Sequence, residues 1–320
     1  MPVYRSLLWI TVCATLILMI ILLVCSSLLH EEHYDIHNTG HVPPQTNNHF
    51  NISRAWIISM HHTGHHTLDL AKGLLYFLRM QDIQIFPAIN GTHALQTGAY
   101  KLLSLYTRYL MLSGRHDHMQ LSSPGMLGCL LSHVHLWKTI QPNETIAIFE
   151  EDAYVDSTSA KRMQVLYQDI KTHNVTWDVL LLESGHNLIA SGKWVNIGEL
   201  TATCSYHETS EGLCTWFGTR GYLITHEGAQ HLLRFVYPIS VQVDSLMGLV
   251  ASFSPGFRMF WTRKDIAHLR IFHVTGVWDG CIKCYMPAST HPYLLGLAVL
   301  VAYLFKQCIS YGRGRSGHPV

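Results

Sequence analysis

Apolar and polar positions change period several times along the chain, and each change predicts an element. Leu7–Leu29 is apolar and carries no charge, about the length that crosses a bilayer as a helix. His30–Asn51 is polar, with Pro43-Pro44 and several Asn and His, and reads as a linking stem. Shorter blocks follow. Ala55–Met60 (AWIISM) reads as a buried strand, and Leu68–Met80 sets Leu68, Ala71, Leu74, Leu75 and Leu78 on a helical stripe. Ile83–Ile89 is a second strand, closed by the turn pair Asn90-Gly91. Tyr100–Leu112 and Met126–Ile140 read as helices, Thr145–Phe149 as a strand, Ala160–Ile170 as a helix and Val179–Leu182 as a strand. Asn187–Thr215 has no clear period and reads as a mobile loop. Tyr222–Thr225, His226–Val236 and Phe257–Thr262 read as strand, helix and strand.

Strands alternating with helices imply an α/β domain with a largely parallel sheet, placed at residues 54–285. Residues 1–6 are then a cytoplasmic tail, 7–29 a signal anchor and 30–53 the stem. Residues 286–320 form a tail whose apolar run, Pro292–Phe305, is 14 residues long and short for a span. Extended to 291–311 it takes in Lys306 and Gln307 and reaches about the spanning length. A second membrane helix and an interfacial or core helix are both open.

The 320 residues are 48% hydrophobic and 13% charged, well under the roughly 25% charge of a soluble domain, and membrane segments explain part of that deficit. A net charge of +1 with no basic face argues against a nucleic-acid partner. Arg5 before the first apolar run and Glu31-Glu32 after it favour a cytoplasmic N-terminus. An uncleaved anchor fits better than a signal peptide, whose apolar region runs about 7–15 residues. The rest of the chain is then lumenal, in the endoplasmic reticulum or Golgi. Four glycosylation sequons agree, at Asn51, Asn90, Asn143 and Asn174. In that compartment disulfides form, and Cys204–Cys214 and Cys281–Cys284 are local pairing choices beside Cys129 and Cys308. Zinc or redox chemistry at Cys281-Ile-Lys-Cys284 is the competing use.

Residues 146–155, IAIFEEDAYV, end an apolar run in Glu150, Glu151 and Asp152. Adjacent carboxylates repel, and ligands of open α/β sheets bind at the carboxyl ends of strands. A divalent cation holding a phosphate-bearing substrate would relieve that repulsion; a solvated acidic loop is the plainer reading.

The surroundings add to this. GMLGCLLSHVHLW precedes the stretch; WDVLLL, TRGYLITHEGAQHLL and PISVQVDSLMG follow it. This order resembles glycosyltransferase family 25, which includes lipooligosaccharide galactosyltransferases and collagen β-galactosyltransferases, over roughly Ala55–Val250. The Gly-x-x-Gly-Cys-x-x-Ser-His helix before the acidic strand carries most of it. The resemblance implies a GT-A-like domain, a UDP-sugar donor (galactose or glucose), Mn²⁺, and a glycan or protein hydroxyl as acceptor. It implies Glu151 and Asp152 as metal ligands with His273 joining them, Glu150, His133 and Gly128 on the donor side, and Asp244 as the base of an inverting transfer. Two departures stand out: SMHHTGHHT follows the first strand where the family has an Arg-rich turn, and the acids read Glu-Glu-Asp rather than Glu-Asp-Asp.

Each residue has a plainer role as well. Asp244 reads as a helix N-cap, Gly128 as a packing glycine and His273 as a core or surface histidine. Ser132 and His133 are a poor nucleophile–base pair, because neighbours on one helix point about 100° apart. The His61-His62, His65-His66 cluster is a weak transition-metal candidate. Two further functional classes stand beside the transferase: a lumenal metal-dependent phosphoester hydrolase, and a catalytically inactive relative that keeps the fold for binding.

Overall fold

The computed structural model describes residues 50–60, 64–114, 119–183, 194–198, 201–204 and 218–270. The expected anchor at residues 7–29, the C-terminal apolar run, Cys281, Cys284 and His273 lie outside them, and no helix among the described residues is long and apolar enough to cross a membrane.

The strands show why the sequence layers as it does. In β3 (Thr145–Glu150), Ile146 and Ile148 enter one apolar core while Ala147 and Phe149 enter another. The period of two sends alternate side chains to opposite faces. β5 (Val179–Leu181) repeats this, with Val179 and Leu181 on one side and Leu180 on the other. Both faces are therefore apolar, and helices cover both. Helices α1 (His65–Phe77) and α5 (Ser157–Thr172) supply Leu70, Leu74, Leu166 and Ile170 to one core. Helices α4 (Pro124–Thr139), α6 (His226–Leu233) and α7 (Val243–Phe253) supply Leu127, Leu130, Trp137, Leu232 and Met247 to the other.

With β1 (Ile52–Ser59), β2 (Ile83–Pro87), β6 (Trp194–Ile197), β7 (Thr201–Cys204), β8 (Gly221–Thr225) and β9 (Met259–Thr262), the sheet runs β2-β1-β3-β8-β5-β9-β7-β6. β1, β2, β3, β5, β6 and β9 point one way; β7 and β8 point the other. The sheet is mixed in its pairings and mostly parallel in direction. The reversed β8 lies between β3 and β5, so residues just before it sit beside the carboxyl ends of its neighbours. β4 (Ala153–Tyr154) and β10 (His268–Leu269) form a separate two-stranded ribbon beyond the acids.

Several expectations are corrected. The single helix expected over Tyr100–Leu112 is a 3₁₀ turn, Ala99–Leu102, followed by α3 (Leu105–Ser113). Leu103 is extended and bridges Ile239, and the Ser104 hydroxyl caps α3 by accepting from Thr107 N–H. Asn90 does not close a turn: its side chain accepts from His93 N–H and caps α2 (Gly91–Gln96). Within the aperiodic 187–215 stretch, β6 and β7 pair antiparallel and extend the sheet; four-residue strands are too short to show a period. Gln242, not Asp244, is the N-cap of α7, and Asp244 stands in its first turn.

Candidate active site

The sheet's mostly parallel direction gathers the ends of β1, β3 and β5 at one edge. There Glu150, Glu151, Asp152 and Glu183 meet the start of β8. Three successive residues before β8 each take one acid. Gly218 N–H donates to Asp244 Oδ2 at 3.0 Å. The Thr219 hydroxyl donates to Glu150 Oε1 at 2.5 Å. Arg220 donates to Glu183 from its backbone N–H, at 2.9 Å, and pairs with it through its guanidinium. Gly218 is required here: its φ is +111°, and a Cβ would fall 2.7 Å from Glu183 Oε2.

The electrostatics follow from burial. Asp152 and Glu183 are both pushed up to about 7, chiefly by burial and the charge of Glu150, with Arg220 opposing. Burial also raises Asp244, although Gly218 and Ser245 N–H groups favour its charged form. Burial works upward on Glu150 too, but His133, Thr219 and Arg220 outweigh it and hold this carboxyl below its usual range. Burial, with the charges of Glu150, Asp244 and Asp152, pushes the Cys129 thiol well up.

Of the three expected metal ligands, His273 lies outside the described residues, and Glu151 and Asp152 differ in their surroundings. Glu151 accepts from the Ser59 hydroxyl, which also bonds Thr67 of α1. Asp152 is buried, with Oδ1 lacking a partner. Among the described residues, neither joins a group of three ligand atoms close enough for one ion; Cys129, His133 and Glu150 do.

The α4 residues divide by role. Ser132 is fully buried; its hydroxyl donates to Gly128 carbonyl and accepts from Ile89 N–H. A Cβ at Gly128 would fall 2.3 Å from the Ile89 carbonyl oxygen, so this glycine lets α4 pack directly on the loop after β2. His133 faces inward, with Nδ1 2.7 Å from the Tyr222 hydroxyl and Nε2 3.4 Å from Glu150. His65 pairs with Asp69 and His66 with Arg270, so these two histidines are engaged locally. Sequence reading missed Cys129, Glu183, Thr219 and Arg220 as site residues. Glu183 carried a signal: WDVLLLE ends an apolar strand in a carboxylate, as IAIFE does.

The model of glycosyltransferase family 25 (LPS biosynthesis protein) matches residues 55–247. This chain belongs to glycosyltransferase family 25. The match spans every described residue of the acidic edge from Ser59 to Asp244. Among family 25 relatives, the chain is 25% identical to procollagen galactosyltransferase 1-A of Xenopus laevis, over 60% of this chain and 30% of that one. It is 31% identical to a putative glycosyltransferase of Haemophilus influenzae over 53% of each. A Rattus norvegicus protein named probable inactive glycosyltransferase 25 family member 3 is 30% identical over 60 residues, 18% of this chain and 10% of that one. The chain thus spans about a third of the first relative's length and about half of the second's.

Proposed function

We propose that this family 25 chain transfers a hexose, galactose or glucose, from a UDP-sugar to a hydroxyl of a glycan or protein, with inversion, on a GT-A-like domain. The observation that carries the reading is the Gly218–Arg220 comb, which brings Asp244, Glu150 and Glu183 from three different elements to one edge.

In this reading Asp244 takes the acceptor proton. It is half-buried, and burial brings its carboxyl toward the working pH, where a base is most effective. Glu150 orients the donor by accepting from its hydroxyls while Thr219 and His133 hold it ionised. Arg220 stands beside Asp152 and Glu183 and supplies positive charge toward a leaving diphosphate. The sequence further supports a type II membrane protein anchored by residues 7–29 in the Golgi or endoplasmic reticulum, with this domain lumenal and glycosylated. Asn51, Asn90, Asn143 and Asn174 are all exposed, as glycan attachment requires.

The test is UDP release by the purified full-length protein, given UDP-galactose, UDP-glucose and other UDP-sugars, with and without Mn²⁺. Release with one hexose donor, lost in Asp244→Asn, is the expected result. No release with any donor, together with no thermal shift on adding UDP, sinks the reading. That outcome would favour a binding role, which the tethering of Glu151 by Ser59 also supports. Phosphate release from simple esters would instead mark a phosphoester hydrolase.

A further inference from the structure

Cys129 and His133 are four residues apart on α4, one turn, so their side chains leave the same face of the helix. Glu150 meets them from the end of β3. The thiol, a ring nitrogen and a carboxylate oxygen all lie within 4.8 Å of one another. His133 is fully buried, and its Nε2 stands 3.4 Å from Glu150, an ion-pair contact that stops short of a well-formed hydrogen bond. A buried polar atom left in that state is expensive. The other ring nitrogen is already fixed: Nδ1 lies 2.7 Å from the Tyr222 hydroxyl, which Trp137 Nε1–H holds at 2.9 Å.

We propose that Cys129, His133 and Glu150 form a binding site for a borderline-soft divalent cation of the zinc class, with its fourth position open to the cleft. A thiolate, an imidazole and a carboxylate suit zinc or cobalt better than the oxygen-seeking magnesium or manganese. Tetrahedral ligands at zinc bond lengths stand roughly 3.3–3.8 Å apart. His133 and Glu150 already stand at 3.4 Å, and the thiol, within 4.8 Å of both, closes in by at most about 1.5 Å. Two anionic ligands on a doubly charged ion leave the set neutral, and the thiol proton passes to water on binding. Tyr222 serves as the outer partner that a ligating histidine needs: with a metal on Nε2, Nδ1 carries the ring proton and donates it to the phenol oxygen. Cys129 and Glu150 are only half-buried, which leaves a way in from the cleft. This site differs from an oxygen site at Glu151 and Asp152, and it does not depend on the transfer reaction.

The test uses reduced, metal-stripped full-length protein titrated with Co²⁺ without nucleotide. The expected result is a near-ultraviolet thiolate-to-cobalt band with the visible absorption of a four-coordinate ion, both displaced by Zn²⁺. Cys129→Ser abolishes the near-ultraviolet band, and Tyr222→Phe weakens binding about 10–100-fold. The double variant Cys281→Ser/Cys284→Ser keeps the band. Circular dichroism checks that each variant folds, and Cys129→Ala replaces Cys129→Ser if the latter does not. A band that survives loss of the Cys129 thiol, a band lost with Cys281 and Cys284 instead, or no band in the unaltered protein overturns the site. None of these readouts requires catalysis, so this inference can fail while the transferase reading stands, and the reverse.

Discussion

The two ends of the sheet treat their carboxylates in opposite ways. At the amino ends of the parallel strands, Glu144 and Asp178 each have their own arginine. Glu144 accepts from Arg54 Nε at 2.9 Å, from Gln141 N–H at 2.8 Å and from the Ser53 hydroxyl at 2.8 Å. Burial works upward on it, yet these partners hold it below its usual range. Asp178 accepts from the N–H, Nε and a terminal nitrogen of Arg258. At the carboxyl ends, Glu150, Asp152 and Glu183 all lean on Arg220, and Asp152 and Glu183 rise to about 7. One end is closed on itself and contributes stability. The other keeps unmatched charge, which lowers stability and remains available to a ligand.

Substitutions at the two ends should therefore separate activity from stability. The largest effect is expected for Asp244→Asn, which lowers kcat by about 10²–10⁴-fold, the usual worth of a general base. UDP release at saturating donor measures it, and the thermal midpoint moves by only a few degrees. Asp178→Ala acts at the closed end. It removes the carboxylate from the exposed Arg258 guanidinium and from Arg258 N–H, and costs about 1–3 kcal/mol in urea unfolding, with kcat per folded molecule unchanged. If Asp178→Ala lowers kcat as much as Asp244→Asn does, the contrast between the ends fails.

The third prediction concerns pH. Between its ordinary value and about 7, Glu183 keeps its proton when folded and loses it when unfolded. Stability from this group is therefore full below its ordinary range and is lost as pH rises toward 7, by up to about 3 kcal/mol. Glu144 runs the other way, its contribution present above its ordinary range and lost as pH falls through its lowered value. Urea midpoints from pH 4.5 to 8 should fall less steeply in Glu183→Gln than in the unaltered protein, with Asp152 keeping its own share of the slope. An unchanged slope would place the titration elsewhere.

The smallest effect belongs to the sequons. Asn51, Asn143 and Asn174 precede β1, β3 and β5 at the closed end, each with a positive φ. Asn143→Gly keeps that backbone comfortable and removes the sequon. Protein from a secretory host should lose one glycan in mass, with stability within about 0.5 kcal/mol.

The strands and helices of the two cores were legible because they rest on period alone: AWIISM, VLLL and GYLIT become buried strands within a residue or three of their expected limits. The acidic strand end was legible as well, since charges at the end of an apolar run break the pattern. What the acids do with one another was not. Glu151 turning to Ser59, and Asp244 reaching Gly218, are contacts between residues 92 and 26 positions apart. Reversing β8 decides which residues face the edge, and strand direction leaves no mark in hydrophobic period. The Cys129, His133, Glu150 group was half visible as a one-turn spacing on a helix; its third member comes from a strand that only the fold brings near.

The Glu183–Arg220 pair has one more consequence. The chain leaves the central sheet just after Glu183 and returns at Arg220, and these two residues grip each other. The excursion between them thus has its entrance and exit clasped together at the rim of the cleft. It contributes β6 and β7 to the sheet margin and none of the central strands. Loosening this clasp would therefore disturb Glu150 and Asp244 as well, since Thr219 and Gly218 hold them from the same three-residue run.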